Sequence, residues 1–161
     1  MNFEPAAVAR GTAEIAATLN ALEWITDNRV ERLSQDFYWF SPILKRQLEG
    51  LRADAVVRPK TEDEIRAVVG ACAQAGVPIT VRGSGTGNYG QCMPLHGGVI
   101  LDLSAYKQLL WVKPGVGRAQ AGIRMMDMDR QMQPQGWELR CVPSTFRSAT
   151  LGGLYGGGFG G

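Results

Sequence analysis

The feature that most constrains this chain is a glycine-rich stretch, VRGSGTGNYGQCMP, at residues 81–94. Four of its residues are glycines, and the largely apolar run VPITV at 77–81 leads into it. Glycine lacks a Cβ atom, so it can adopt positive φ and lets main-chain N–H groups approach a ligand closely. Successive N–H groups in such a loop form a concavity that binds anions, phosphate above all. The pattern therefore predicts a phosphate-binding loop after a strand, with Arg82 supplying a positive charge at its entrance.

Length and composition limit the classes of function. The 161 residues suffice for one domain with a hydrophobic core, and 45% hydrophobic and 20% charged residues are ordinary for a globular protein. A net charge of +2 without a cluster of Lys or Arg argues against a nucleic-acid partner. No apolar run reaches the ~20 residues of a membrane span, and no secretory signal is recognisable. With three scattered cysteines and one histidine, we expect a cytoplasmic protein without a metal site.

A second glycine-rich stretch, GGLYGGGFGG, occupies residues 152–161. Leu154, Tyr155 and Phe159 within it, and Leu151 before it, are unusual for a flexible linker. We therefore expect that the chain is cut within a longer protein at this point.

Hydrophobic periodicity predicts short helices and strands in alternation, which is typical of an α/β or α+β fold. The predicted helices are 12–27 with Thr12 as N-cap, 61–76 with a capping box of Thr61 and Glu64, and 123–132. The predicted strands are 55–59, 77–81, 98–103, a hairpin of 109–112 and 118–121, and 138–142.

We divide the chain into an N-terminal helical and aromatic extension, 1–50, and a domain at 51–161. The aromatic-rich residues 37–40 of the extension are interpreted as covering the core, with a partner surface as the alternative. The methionines of the third helix (125, 126, 128 and 132) are interpreted as core residues because flexible thioether side chains fill irregular gaps.

Dinucleotide binding by a Rossmann fold is the first function to consider. Gly85, Gly87 and Gly90 match G-x-G-x-x-G after a predicted strand. That motif must open a helix whose N-terminus meets the pyrophosphate. Pro94 and the pair Gly97–Gly98 prevent a helix of useful length here. An NAD(P)-binding Rossmann enzyme using Gly85–Gly90 is therefore the weaker alternative.

A better match begins near residue 55 and extends to the end of the chain. Five features follow one another: a strand at 56–59, a helix start at 61–65, the glycine loop at 82–87, a strand at 97–104, and the motifs Pro143-Ser144-Thr145 and Thr150-Leu151-Gly152-Gly153. In this order they resemble the FAD-binding domain of the vanillyl-alcohol oxidase/PCMH flavoprotein family, especially its glycolate and D-lactate dehydrogenase-like branch. The resemblance implies an α+β fold of two α/β subdomains with FAD between them, here truncated.

The resemblance also implies which residues bind the cofactor. They belong to the two glycine-rich stretches and to the turn before the second: Arg82, Gly83, Ser84, Gly85, Thr86, Gly87, Asn88, Pro143, Ser144, Thr145, Thr150, Gly152, Gly153, Gly156 and Gly157. The first stretch is expected to hold the pyrophosphate, and the glycines of the second to let the main chain run against FAD. Leu154 stands where the family often has Asn, which removes one polar contact.

Non-covalent FAD is expected, since the first loop lacks the histidine that flavinylated members often carry. His96 is interpreted as a loop residue, Cys141 as a core residue on the strand 138–142, and Arg147 as a surface residue. The implied function is a flavin-dependent oxidoreductase that accepts a hydride from a small 2-hydroxy acid or alcohol and passes electrons to an acceptor, in a monomer or homo-oligomer. Catalytic residues are unknown, because the family's cap domain lies outside the resemblance. A non-catalytic remnant of an FAD domain is the other alternative.

Overall fold

The computed structural model describes residues 3–158. The helices in this range are α1 (Pro5–Thr18), α2 (Arg29–Leu33), α3 (Pro42–Leu48), α4 (Glu62–Ala75), α5 (Met125–Met132) and α6 (Leu151–Gly156). The strands are β1 (Trp24–Ile25), β2 (Ala55–Val57), β3 (Ile79–Arg82), β4 (Val99–Asp102), β5 (Leu109–Lys113) and β6 (Val116–Ala119). Single turns of 3-10 helix lie at Tyr38–Phe40, Leu103–Ala105 and Gln133–Gln135.

A four-stranded sheet in the order β1-β2-β4-β3 forms the main body. β2 and β3 pair with β4 in parallel, and β1 pairs with β2 antiparallel. All four residues of β4 are buried, as expected for a strand that is covered on both faces. Alternate residues face opposite sides, so Val57 and Leu101 pack towards α1 and α4, and Val56 and Ile100 pack towards α2.

The register of this sheet places Arg82 beside Asp102, at the carboxyl ends of β3 and β4. The glycine-rich stretch therefore leaves the sheet at the edge where parallel sheets usually bind ligands.

The hairpin β5–β6 forms a second, antiparallel sheet that packs against α5. Ile123, Met128 and Met132 are buried in this contact, and Met125 is buried with Ala149 and Leu154 in the cluster that includes α6. The prediction that the methionines fill the core is confirmed for these three, while Met126 is half-buried. Through these two clusters, α6 packs against α5 and against Ile123, which follows the hairpin.

Much of the predicted secondary structure is confirmed, and with it the α+β class. The capping box of Thr61 and Glu64 opens α4, and Gly76 ends that helix at φ +66°, in the left-handed region that glycine favours. The strands at 55–59, 77–81 and 98–103, the hairpin and the helix at 123–132 are present with ends shifted by a few residues.

The helix predicted at 12–27 is wrong in both ends and in its cap. α1 runs from Pro5 to Thr18, with Glu4 as N-cap accepting a hydrogen bond from the N–H of Ala7. Proline at the first helical position and an alanine-rich run favour this earlier start. Thr12 lies in the middle of the buried face, 2% exposed, and the apolar residues after Thr18 belong to a turn and to β1.

The strand predicted at 138–142 is also wrong, because these residues, all described, are irregular with a bend at Arg140 and have no strand partner. The N–H of Leu139 donates instead to Asp129 Oδ1 at 2.9 Å, on α5. Cys141 therefore lies in a loop and is half-buried. Of the aromatic residues 37–40, Tyr38 is buried, whereas Trp39 and Phe40 are exposed, so the core-covering interpretation holds only for Tyr38.

The division at residue 50 stays a prediction. Residues before it contribute β1 to the main sheet and α1 to the layer that contacts α4.

Candidate functional site

A cavity of about 510 Å³ lies between the carboxyl end of β3 and the helix α6. Most of the predicted cofactor residues line it: Gly83, Ser84, Gly85, Thr86, Gly87, Pro143, Thr145, Thr150, Gly152, Gly153, Gly156 and Gly157. The two glycine-rich stretches are some seventy residues apart in the sequence, and the fold brings them to one cavity.

The first stretch is a loop without regular structure. Residues 83–98, all described, contain no helix, which contradicts a Rossmann interpretation of Gly85–Gly90. Gly85 and Gly90 have φ of +68° and +75°, which is strained for residues with a Cβ. Within the part of the chain that the structure describes, the N–H groups of 84–87 donate to no protein acceptor. Four consecutive unused donors in a loop that lines a cavity are suited to an anionic ligand.

The described part of the second stretch begins in helix α6, Leu151–Gly156, and the N–H groups of the first turn of α6 are used within the protein. The N–H of Leu151 donates to Ile123 O at 2.9 Å, and that of Gly152 to Ala121 O at 2.8 Å. Thr150 is the N-cap, and its Oγ1 accepts from the N–H of Gly153 at 3.3 Å. A Cβ on Gly152 would lie 2.8 Å from Ala121 Cβ, so glycine is required for this close contact. α6 therefore contributes space and main-chain surface to the cavity, not hydrogen-bond donors from its first turn.

The first stretch contacts Thr150, the N-cap of the helix that begins the second stretch. A Cβ on Gly83 would overlap the Thr150 hydroxyl, so the absence of a side chain at Gly83 permits the contact.

Arg82, Asn88 and Ser144 are not among the residues that line this cavity, and their contact with a cofactor stays a prediction. Arg82 is 8% exposed and is held inside the protein. Its Nη1 donates to Gln35 O at 2.7 Å and to Cys92 Sγ at 3.3 Å, and its Nη2 donates to Ser84 O at 3.5 Å. The guanidinium thus holds the loop by hydrogen bonds from the protein interior.

Several lining residues were missed by sequence analysis: Asp36, Val81, Gln91, Cys92, Leu103, Ala121, Ala149 and Leu154. Asp36 is the most informative, being only 2% exposed and accepting hydrogen bonds from the N–H groups of Tyr38 and Gly90, each at 2.9 Å. Burial raises the pKa of the Asp36 carboxyl, while these N–H groups and the charge of Arg82 oppose the rise. The sequence signal that could have identified it is a single acidic residue directly before the aromatic residues 37–40.

The other singled-out residues lie away from the cavity. His96 is exposed, with its ring centroid 5.1 Å from that of Phe3, and Arg147 is exposed as predicted. Cys141 does not line the cavity, whereas Cys92 does. Burial raises the pKa of the Cys92 thiol. Across residues 3–158, no helix combines the length and apolar character needed to cross a bilayer.

Comparison with known proteins identifies the family. A family model described as an FAD binding domain matches residues 53–161. The glycolate oxidase subunit GlcD of Escherichia coli (strain K12) is 33% identical over 101 residues, covering 61% of this chain and 20% of that protein. The D-2-hydroxyglutarate dehydrogenase of the same strain is 32% identical over 110 residues, covering 65% of this chain and 11% of that protein. The chain thus spans about a fifth or less of these two relatives.

A solved structure of alkyldihydroxyacetonephosphate synthase shares the fold, with a TM-score of 0.76 and 23% identity over 88% of this chain and 28% of that one. The cavity fits FAD, the cofactor in the family description. The pyrophosphate of FAD matches the unused N–H donors of residues 84–87. Its flat ring system matches the surface that the glycines of α6 form on the other side of the cavity. The resemblance inferred from the sequence is confirmed, and the chain belongs to the FAD binding domain family.

Proposed function

We propose that this chain is the FAD-binding part of a flavin-dependent oxidoreductase that oxidises a small 2-hydroxy acid. The observation that carries the proposal is the single cavity lined by both glycine-rich stretches. When bound, FAD supplies the hydride acceptor, and the protein binds, orients and shields it. Since the chain spans about a fifth of GlcD, the activity is proposed for a longer protein that contains it.

The first stretch is proposed to hold the pyrophosphate. The N–H groups of residues 84–87 have no protein acceptor among the described residues, and the hydroxyls of Ser84 and Thr86 add two donors. A hydrogen bond to a charged acceptor contributes about 1.5–3 kcal/mol, so a few of them suffice for a substantial part of cofactor affinity. Arg82 is proposed to shape this loop, and Asn88 to add an amide donor at its end.

The second stretch is proposed to accommodate the remainder of the cofactor. Gly152, Gly153, Gly156 and Gly157 keep side chains out of the cavity, so that a planar ring can lie against the main chain. Thr145 lines the same cavity, and Ser144 beside it is proposed as a further hydroxyl donor on the turn after Pro143.

The substrate class is supported by the relatives. The names of GlcD and of the E. coli dehydrogenase specify glycolate and D-2-hydroxyglutarate, both 2-hydroxy acids, which favours this class over aryl alcohols. Among the described lining residues, only Asp36 and Cys92 carry titratable side chains. Both are engaged internally, Asp36 by two N–H groups and Cys92 by Arg82, so we propose that the groups that bind and deprotonate the substrate come from outside residues 3–158.

FAD is proposed to be bound non-covalently. His96 and Cys141 do not line the cavity, and the raised pKa of Cys92 disfavours the thiolate that attack on a flavin would require. The three cysteines are unpaired, which supports a cytoplasmic, reducing location. A small-molecule substrate, an electron acceptor and, as an open option, a second copy of the chain are the proposed partners.

Titration of the purified chain with FAD tests the binding proposal. We expect saturable quenching of flavin fluorescence, no comparable binding of NADH, and release of all the flavin on acid precipitation. Preferential binding of NADH, or no binding of FAD, would contradict the cofactor assignment. Flavin that stays with the precipitated protein would contradict only the non-covalent linkage.

The substrate proposal needs a longer protein that contains this chain. We expect its flavin absorbance to bleach when glycolate, D-lactate or D-2-hydroxyglutarate is added under anaerobic conditions. Bleaching by an aryl alcohol alone would overturn the substrate class. A yellow protein that none of these compounds reduces would support the non-catalytic remnant.

A further inference from the structure

The segment Gln35–Tyr38 lies outside the matched region 53–161 and yet contacts the first glycine-rich stretch directly. We call this segment the strap. The N–H of Phe37 donates to Gly87 O at 2.8 Å, and Asp36 Oδ2 accepts from the N–H of Gly90 at 2.9 Å. The carbonyl of Gln35 accepts from Arg82 at 2.7 Å. Three hydrogen bonds thus join the strap to the beginning, middle and end of the loop.

We propose that Asp36 is a positioning residue for FAD, which through the strap fixes the loop that holds the pyrophosphate. The inference rests on the proposed function for the identity of the ligand, but the fixing of the loop is a property of the protein itself. Asp36 contributes by holding the N–H of Gly90, while the donors at 84–87 stay unused for the ligand.

The burial of Asp36 supports this role. A carboxylate that is 2% exposed loses most of its hydration, so it is retained only where hydrogen bonds replace the water. Here each oxygen has one N–H donor: Oδ1 accepts from Tyr38, within the strap, and Oδ2 accepts from Gly90, across the gap. The bond within the strap orients the carboxylate, and the bond across the gap fixes the loop.

The charge balance of the cavity supports it as well. A carboxylate beside a pyrophosphate site would repel the ligand, but the positive charge of Arg82 acts on Asp36. The two side chains therefore offset one another, and both are occupied in holding the loop. Affinity for an anion must then come from the unused main-chain donors, whose positions depend on the strap.

The substitution Asp36→Asn tests the proposal at nearly constant volume. One carboxylate oxygen becomes an NH2 group, so one of the two N–H groups would face a donor instead of an acceptor. In the protein without FAD, we expect amide hydrogen exchange to become about tenfold faster at Phe37 and Gly90, whose N–H groups are bonded between the strap and the loop, and unchanged in α4. The dissociation constant for FAD should rise about tenfold, since a hydrogen bond to a charged group is lost.

Asp54→Asn provides the matched control. Asp54 Oδ2 accepts from the N–H of Gly98 at 2.7 Å, at the far end of the same connection between β3 and β4, and Asp54 does not line the cavity. We expect this variant to leave both the exchange at Phe37 and Gly90 and the affinity for FAD within twofold of the parent. Should Asp36→Asn fail to fold, Asp36→Glu keeps the charge, displaces the carboxylate by one methylene group, and should produce smaller changes of the same kind.

Unchanged exchange at Phe37 and Gly90 in Asp36→Asn would overturn the role of Asp36 in fixing the loop, whatever ligand the protein binds. Faster exchange with unchanged affinity for FAD would overturn the positioning role. Failure of the parent protein to bind FAD would refute the proposed function instead, and the exchange experiment would still decide whether Asp36 fixes the loop.

Discussion

The two glycine-rich stretches have similar composition and opposite physical roles. In the first, glycine supplies positive φ at Gly85 and Gly90, and the N–H groups between residues 84 and 87 are left without protein acceptors among the described residues. In the second, Gly152 and Gly153 lie in a helix, and their N–H groups are bonded to Ala121 and Thr150.

Clustered glycines thus identify a site without identifying what each glycine does there. The loop offers donors, and the helix offers close packing and empty space. Substitution by alanine distinguishes these roles because a methyl group affects backbone strain, packing and cavity volume differently.

The largest effect is expected at Gly152. Its Cβ would lie 2.8 Å from Ala121 Cβ and 3.1 Å from Ala121 O, so Gly152→Ala forces α6 away from its support. We expect a loss of about 2–3 kcal/mol in the free energy of unfolding, measured by urea denaturation. Gly70→Ala, in α4 with open space around the new methyl group, is the control and should stabilise the protein by about 0.5–1 kcal/mol. Equal effects at both positions would refute the packing role.

An intermediate effect is expected at Gly85, where φ is +68° and a Cβ would overlap the Arg82 guanidinium. Gly85→Ala should lower the free energy of unfolding by about 1–2 kcal/mol through the left-handed backbone. Affinity for FAD, measured by fluorescence titration, should fall about tenfold because the loop moves, an effect of about 1.4 kcal/mol. Gly115→Ala introduces the same kind of strain in the β5–β6 turn at φ +77° and should leave FAD binding unchanged. A loss of affinity in both variants would show that strain alone is responsible.

The smallest effect on stability is expected at Gly156, which lines the cavity and has nothing within 4 Å of a new Cβ. Gly156→Ala should raise the free energy of unfolding by about 0.5 kcal/mol, because alanine favours a helix. The methyl group should nevertheless weaken FAD binding severalfold by occupying the cavity. Calorimetric titration with FAD measures the affinity, and Gly70→Ala, which adds a helical methyl group outside the cavity, is the control for the gain in stability. Unchanged affinity for FAD in Gly156→Ala would indicate that the cofactor does not reach this part of α6.

Sequence analysis predicted those features correctly whose determining signal lies within a few residues. The capping box of Thr61 and Glu64, the left-handed Gly76 and the proline that excludes a helix after the glycine loop each act within a few residues. The family's motif order then allowed both sides of the cavity to be predicted together.

Errors arose where distant contacts or competing local signals decided the outcome. Thr12 fits an N-cap, but Pro5 and the alanines around it begin the helix earlier. Residues 138–142 have strand-like composition but find Asp129 as a partner instead of a strand. The role of Asp36 depends on Gly90, fifty-four residues away, and no periodicity records such a pairing.

The hydroxyl of Thr150 links the first glycine-rich loop to the start of α6. One oxygen atom accepts from Gly153 at the start of α6 and also abuts the bare α-carbon of Gly83. Separating the loop from the helix at this point would release that contact, whereas rotating the hydroxyl away would uncap the helix. A displacement of this hydroxyl would therefore affect the loop and the first turn of α6 together, and hydrogen exchange at the Gly153 amide would report it.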